Sequence, residues 1–489
     1  MRGEQVSADE FVEVGLVIGG ERLLTGRWDE HPNPAREVDV VGRSPVAGAK
    51  EVDLAVEAAA GAFPAWAALD LSERAALLAA AGDMLQTRSA EWEALLTREH
   101  GRPLYESRLD IQFGGAVLRY FGSECSYPEP RVFEDGQGRL TVGHRPIGVC
   151  AGIVPWNFPV GLSMPKVGAA LLAGNTIVIK LPDYSPLTAA LVLGEVADLL
   201  PPGVLNVVTG RGPEVGQLLA EHPTVRKVAL TGGTPTGRAV MRAASEQLKR
   251  VTLELGGNDA AIVLPDAQVD QTLGEKLMLG AFTASGQICF AIKRVYAPRR
   301  VFADVVEAIA AALDDSLLGD GLEPGVTLGP VNNRRSHERL NRLRAGLDKI
   351  GANTLIRGSV VPGTDLDAGY FQRPTLVVDP PRDAEIVKVE QFGPILPILA
   401  YDDDEDPIGL ANDSEFGLCA SLWTADEGAA FDLASRIESG TVFINSHGPF
   451  SLDLSAPFGG VKASGLGREF GVEGLSEYLD VQTVSNRGL

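Results

Sequence analysis

Between residues 147 and 284, short runs of apolar, β-branched residues alternate with stretches of helical periodicity. IGVCAGIV, TIVIKL, VLNVVTG, VRKVALTG, VTLEL and AAIVL read as strands; SMPKVGAALLA, LTAALVLGEVADLL, EVGQLLAEH and TGRAVMRAASEQLKR read as helices. The strand runs lack polar alternation, so both faces of each strand must be buried. Parallel strands joined by crossover helices meet that demand, which predicts a doubly wound α/β domain. Such sheets bind ligands beyond the carboxyl ends of their strands. A second alternating region, from about 289 to 450, predicts another α/β domain, with KRVYAP, PILPILAY, GLCASLWT and GTVFIN among its elements.

The flanking segments read differently. Residues 1–50 read as irregular, with Gly, Pro and Arg scattered through them. Residues 51–127 carry apolar residues at three- and four-residue spacing and read as helices, with Ser72 at an N-cap position. PRVFEDGQGRLTVGHR at 130–145 reads as a hairpin turning at Asp135-Gly136 and Gln137-Gly138. The tail EYLDVQTVSN reads as an edge or swapped strand. At about 150 residues per domain, the 489 residues amount to roughly three domains.

The chain has 43 Lys+Arg against 65 Asp+Glu, a net charge of −22. That repels phosphate backbones and anionic lipid, and argues against nucleic-acid and membrane-surface partners. The four cysteines, at 125, 150, 289 and 419, show no paired spacing. A disulfide scaffold or a cysteine metal site is not expected, and a reducing compartment fits. The acidic start lacks a basic n-region followed by an apolar h-region, and no run reaches about 18 apolar residues. A cytoplasmic protein is expected.

Several local patterns carry chemistry, each beside a plainer structural alternative. After the strand ending at Leu230 come Gly232 and Gly233, then Gly237 in the next helix. Glycines there let backbone N–H groups approach an anion at a helix N-terminus, or simply make a tight turn. Lys180 closes an apolar strand, with Asp183 three residues on. At the carboxyl end of a parallel strand the pair can bind ribose hydroxyls or phosphate, or reach solvent. Glu254 ends a β-branched strand before Gly256-Gly257. Burial there raises a carboxyl pKa toward that of a general base, though a salt-bridged Glu would read the same. Cys289, in TASGQICFAIKR, is a nucleophile candidate or an inert buried thiol. In PWNFP at 155–159, an apolar frame holds Asn157, whose amide can face a developing oxyanion or cap a turn. EQFGP at 390–394 and the glycine-dense PFGGVKASGLGREFG at 457–471 suggest function without specifying it.

Taken together, PWNFP, ELGGN, GQIC, EQFGP and PFGGVKASGLGRE, in this order and at these spacings, resemble the aldehyde dehydrogenase superfamily. The resemblance runs from about residue 15 to the end. It implies an α/β fold of two doubly wound domains plus a small β oligomerisation extension. The implied division is 1–127 and 147–256 for dinucleotide binding, 257–456 for catalysis, and 128–146 with 474–489 for oligomerisation. It further implies that Cys289 attacks an aldehyde, that Asn157 and the Cys289 N–H hold the oxyanion, and that hydride leaves to a nicotinamide. Glu254 then activates water to hydrolyse the thioester, with Glu469 supporting from behind. On the cofactor side the resemblance implies Lys180 and Asp183 at the adenosine ribose and Gly232, Gly233 and Gly237 near the pyrophosphate. Glu390 is implied at the nicotinamide ribose, Phe392 near the ring, and Trp156 in the cleft. No metal is implied.

Two departures bear on specificity. Asp183 stands where NAD-preferring members often carry Glu; a carboxylate still repels a 2′-phosphate, so NAD is expected, with NADP as the alternative. Gly233 replaces a usual serine. Phe158, Leu162, Ile288, Phe290 and the segment 446–455 are the expected substrate-pocket residues. The frame is apolar and aromatic, with no Arg or Lys to bind a second carboxylate, and predicts a medium-sized apolar or aromatic aldehyde. The alternatives are a CoA-acylating semialdehyde dehydrogenase, against which Glu254 argues, and a catalytically silent binding protein, against which Cys289, Glu254 and Asn157 argue. A homodimer or homotetramer is expected.

Overall fold

A computed structural model describes residues 10–487. The first nine and last two residues, and with them parts of the expected signal-free start and of the oligomerisation tail, lie outside the described residues. Two large sheets dominate. The first has eight strands, and its parallel centre runs Arg250–Glu254, Val225–Thr231, Val149–Ile153, Thr176–Lys180, Leu205–Val208. The strands Val149–Ile153, Thr176–Lys180 and Leu205–Val208 are buried at every position, as their unbroken apolar runs require. From Val149–Ile153 the chain steps outward through 176–180 to 205–208, then returns to the other side at 225–231. The order therefore reverses between Val149–Ile153 and Val225–Thr231, and a crevice opens beyond that point.

Register decides what lines the crevice. Ile153 pairs with Lys180 on one side and with Leu230 on the other, and Thr231 pairs with Glu254. Lys180, the entry to PWNFP, the glycine turn and Glu254 thus share one rim. The short strand Gly465–Leu466 closes this edge antiparallel to Arg250–Glu254, with Gly465 opposite Glu254.

The second sheet has seven strands, in the order Asn353–Ile356, Thr375–Val378, Ile395–Tyr401, Ile292–Pro298, Asp259–Val263, Cys419–Trp423, Thr441–Ile444. All pairs are parallel except the one made by Asn353–Ile356 at the edge. LGGN at 255–258 connects the two sheets, so Glu254 ends one and Asp259 begins the other.

Two expectations need correction. Residues 12–45 are not irregular: they form strands at Val12–Glu13, Leu16–Ile18, Glu21–Leu23, Trp28–Asn33 and Arg36–Pro45. Leu16–Ile18 adds antiparallel to Leu205–Val208 and so extends the first sheet. Edge strands need only a short apolar face, which scattered Gly and Arg conceal. Ser72 is not an N-cap. The helix Leu71–Arg88 is capped at Asp70, whose N–H donates to the Glu73 carboxylate at 3.1 Å, and Ser72 lies in its first turn. The tail strand Leu479–Ser485 pairs antiparallel with Gly138–Pro146 and lies at one edge of that three-stranded sheet, the edge position expected for it. Among the described residues no helix is long and apolar enough to cross a membrane, and no group of three or more His, Cys, Asp or Glu side chains is placed to hold a metal.

Candidate active site

At the rim, Lys180 is buried and its ammonium is ion-paired with Asp183. The Asp183 carboxylate also accepts the Gly212 N–H, at 3.0 and 3.1 Å. Burial lowers the Lys180 pKa, and Asp183 opposes that. Gly233 is the N-cap of the helix Thr234–Ser245, with Pro235 in its first turn. A Cβ built on Gly232 or Gly233 would meet nothing closer than 3.5 Å, so the face of the turn is open. Gly237 serves differently. A Cβ there would stand 2.6 Å from a Leu255 methyl, so Gly237 lets the helix pack closely on Leu255.

Across the crevice, Glu390 lies against the ELGGN backbone. It accepts the Gly257 N–H at 3.2 Å, and a Cβ on Gly256 would come within 2.5 Å of its carboxylate. Burial pushes Glu390 up to about 7, against the pull of Lys293, the Gly257 bond and Arg339. Phe392, held at φ +51°, meets Trp156 edge-on with ring centroids 5.5 Å apart.

Cys289 sits on a loop that enters through three consecutive left-handed residues, Ala284, Ser285 and Gly286, at φ +53°, +54° and +73°. Two of these are not glycine, so the conformation must be imposed from outside. The Ala284 N–H donates to Glu106 at 2.9 Å, Ser285 Oγ to the Gly329 carbonyl at 2.8 Å, and the Asn332 N–H to Gln287 Oε1 at 2.9 Å. The side chain of Asn157 donates to the Gln287 carbonyl at 2.9 Å, which ties PWNFP to this loop. The Asn157 carbonyl in turn accepts from Arg102 at 2.9 Å. Arg102 is buried, 3.3 Å from Asp110 and 4.6 Å from the centre of the Phe158 ring. Cys289 is half-buried. Burial and the facing Glu390, Glu254 and Asp259 push its thiol up, while Lys293 opposes them.

Glu254 is buried, and neither of its carboxylate oxygens has a hydrogen-bond partner among the described residues. Burial, then the neighbouring Glu469, raises its pKa well above the carboxylate range, with Lys166 and Arg468 pulling the other way. A Cβ on Gly459 would stand 2.6 Å from Glu254, which explains one glycine of PFGG. Glu469 is ion-paired with Lys166 at 2.7 Å, and Lys166 also donates to Thr231 Oγ1 at 2.6 Å.

Apolar side chains continue outward from Cys289. Phe290 packs on Phe458 at 5.3 Å between centroids, Phe458 on Phe470 at 6.3 Å, and Phe470 on Phe113 at 6.1 Å. Phe158, Leu452 and Leu454 pack on the same cluster. Phe158 and Leu162 keep accessible surface, whereas Ile288 and Phe290 are buried. Motif reading overlooked Arg102, Lys166 and Lys293. For Lys166 the one signal was a lone charge in an otherwise apolar helix; Arg102 and Lys293 stand beside other charged residues and carried no such signal.

A dinucleotide-type crevice thus faces a cysteine loop held in left-handed backbone, with a buried carboxylate beside it. The chain belongs to the aldehyde dehydrogenase family, whose profile matches residues 28–484. It is 36% identical over 473 residues to the succinate-semialdehyde dehydrogenase [NADP(+)] GabD of Escherichia coli, covering 94% of this chain and 96% of the relative. It is 38% identical over 459 residues to the geranial dehydrogenase of Castellaniella defragrans, covering 91% and 93%. The aldehyde dehydrogenase AldC of Pseudomonas syringae, solved with NAD+ and octanal, superposes with a TM-score of 0.90 at 33% identity, over 96% of each chain. The protein is an NAD(P)-dependent aldehyde dehydrogenase that oxidises an aldehyde to the acid.

Proposed function

We propose that this chain oxidises medium-sized apolar or aromatic aldehydes with NAD, using Cys289 as nucleophile, Asn157 as oxyanion donor and Glu254 as general base. The observation that carries the reading is a buried Glu254 carboxyl without hydrogen-bond partners facing a thiol on a tightly held loop. The Cys289 thiolate attacks the aldehyde carbon. The Asn157 amide spends one N–H on Gln287 and has a second for the oxyanion, beside the Cys289 N–H. When bound, NAD(P) would accept the hydride released by the adduct carbon, which would leave a Cys289 thioester. Glu254 takes a proton from water as the water oxygen attacks that thioester, which frees the acid and restores the thiol. Behind Glu254, Glu469 disfavours its charged form, and Lys166, paired with Glu469, partly offsets that.

The residues present fit a dinucleotide. Lys180 and Asp183 offer a cation and an acceptor for the adenosine ribose, the open glycine turn suits the pyrophosphate, and Glu390 suits the nicotinamide ribose, with Trp156 and Phe392 lining the cleft. The Asp183 carboxylate, fixed by Lys180 and Gly212, repels a 2′-phosphate and supports NAD over NADP. The sheet topology supports the division into 1–127 with 147–256, 257–456, and 128–146 with 474–489.

The aromatic series from Phe290 to Phe113 supports the substrate class. The segment 446–455 holds no Arg or Lys that could pair with a second carboxylate on the substrate. The test is kcat/KM with NAD and NADP over a panel of octanal, benzaldehyde, phenylacetaldehyde, succinate semialdehyde and betaine aldehyde. The apolar members should lead by about tenfold or more. A lead for the semialdehyde would overturn the substrate class. Adding CoA to the same assays tests the acylating alternative, in which acyl-CoA would accumulate.

The hairpin and tail leave Val132, Phe133, Val481 and Val484 exposed, four apolar side chains on one three-stranded sheet. Such a surface suits burial against a second copy, and a homodimer or homotetramer is the proposed state. Sedimentation equilibrium should give at least twice the 51.7 kDa chain mass, and a monomer at micromolar concentration would refute this.

A further inference from the structure

Lys293 lies four residues after Cys289, in the strand Ile292–Pro298, and is buried. Its ammonium donates to the Ile288 carbonyl at 2.7 Å and to the Gly286 carbonyl at 3.2 Å, and lies 5.3 Å from the centre of the Phe392 ring. The Ile288 carbonyl and the Cys289 N–H belong to one peptide group. In a trans peptide these two bonds point in opposite directions. Gripping the carbonyl from one side therefore aims the Cys289 N–H to the other. The neighbouring carbonyls are also held: Gln287 accepts from Asn157 at 2.9 Å, and Phe290 from His447 Nε2 at 2.9 Å. Of these donors, Lys293 alone acts on the peptide that carries the Cys289 N–H.

The second consequence is electrostatic. The groups facing the Cys289 thiol are Glu390, Glu254 and Asp259, all carboxyls, and the cation Lys293. Asp259 accepts the Cys419 N–H at 3.1 Å and stands 3.7 Å from His447 Nε2. Around Lys293 stand Glu390, Asp259 and Cys289, with Arg339 as a like charge. Burial works against its ammonium, and those acidic neighbours support it. A thiolate formed among three carboxyl groups needs such a counter-charge.

We propose that Lys293 is a positioning residue: it aims the Cys289 N–H at the reacting carbonyl oxygen, and its charge sets how readily Cys289 becomes a thiolate. This rests on Cys289 being the nucleophile. The test uses full-length Lys293→Met, Lys293→Gln and Lys293→Arg, with Cys289→Ser as reference. Alkylation of Cys289 by iodoacetamide, located by peptide mass spectrometry, is followed against pH alongside kcat and KM. In Lys293→Met the alkylation midpoint should rise by about one pH unit or more. Its kcat should fall about 100-fold, with KM for aldehyde changed by less than about threefold. Lys293→Gln keeps a donor for Ile288 but no charge, so it should show the same pH shift with a smaller loss in kcat. Lys293→Arg should return the midpoint toward wild type. A folded Lys293→Met with an unshifted curve and unchanged kcat overturns the proposal; should that variant not fold, an unshifted curve in Lys293→Gln does so. Activity surviving in Cys289→Ser would instead overturn the nucleophile assignment, so the two failures are distinct.

Discussion

Replacing Cys289 with alanine should abolish aldehyde-dependent NADH formation, with kcat falling by at least about 10^4-fold. Without the thiolate no tetrahedral adduct forms, and an aldehyde carbonyl has no hydride ready to leave. The Asn157 amide and the backbone N–H would remain, but they stabilise an oxyanion that nothing creates. The fold should tolerate the change. Cys289 is half-buried with no hydrogen-bonded partner to strand, and losing one sulfur atom costs about 1 kcal/mol. NADH fluorescence measures the activity, and quenching of protein fluorescence by NAD checks that the cofactor still binds. Turnover within about tenfold of wild type would remove Cys289 from the mechanism.

Glu254→Gln should separate the two halves of the reaction. The amide matches the carboxylate in shape, so thiolate attack and hydride departure proceed and one NADH per site forms in a burst. Water activation is then missing, steady-state turnover falls about 10^3-fold, and the acylated Cys289 accumulates to a mass spectrometer's view. The pH dependence carries the sign. Burial and Glu469 raise the Glu254 pKa, so the protonated form, which cannot accept a proton, persists toward neutrality. Wild-type deacylation should therefore grow as pH rises through that ionisation and fail as pH falls. Glu390 titrates near 7 in the same cleft, but Glu254→Gln leaves it in place. The limb that vanishes in the variant belongs to Glu254. A burst-free variant with the wild-type pH profile would reassign the base.

Much of the site was legible because its residues lie at the ends of locally recognisable strands. Lys180 and Glu254 close apolar runs, and PWNFP and the glycine turn follow directly on two others. In a parallel sheet every strand ends on the same rim, so reading strand ends along the chain already gathers these residues in space. The short strands between 12 and 45 were not legible. They are stabilised as additions to sheets whose other strands lie far along the chain, as when Val17 pairs with Val207. Gly237 shows what motif reading leaves out: its spacing suits the ligand turn, and only the fold shows that it also lets the helix pack on Leu255.

The sequence by itself determined the fold class and pointed to a candidate thiol, a candidate carboxylate and the sheet rim on which that carboxylate stands. Hydrophobic periodicity and motif spacing are local properties, and local properties survive in one dimension. Only the tertiary structure decided what holds and charges those groups. Lys166 meets Glu469 across 303 residues, Asn157 meets Gln287 across 130, and Arg102 meets Asn157 across 55. A buried charge is stable only where folding delivers a partner, and hydrogen bonds reach about 3 Å. No spacing along the chain records that distance. Lys293 makes the point at shortest range: its position beside Cys289 could be read, but which carbonyls it grips, and so where the Cys289 N–H points, depended on the folded loop.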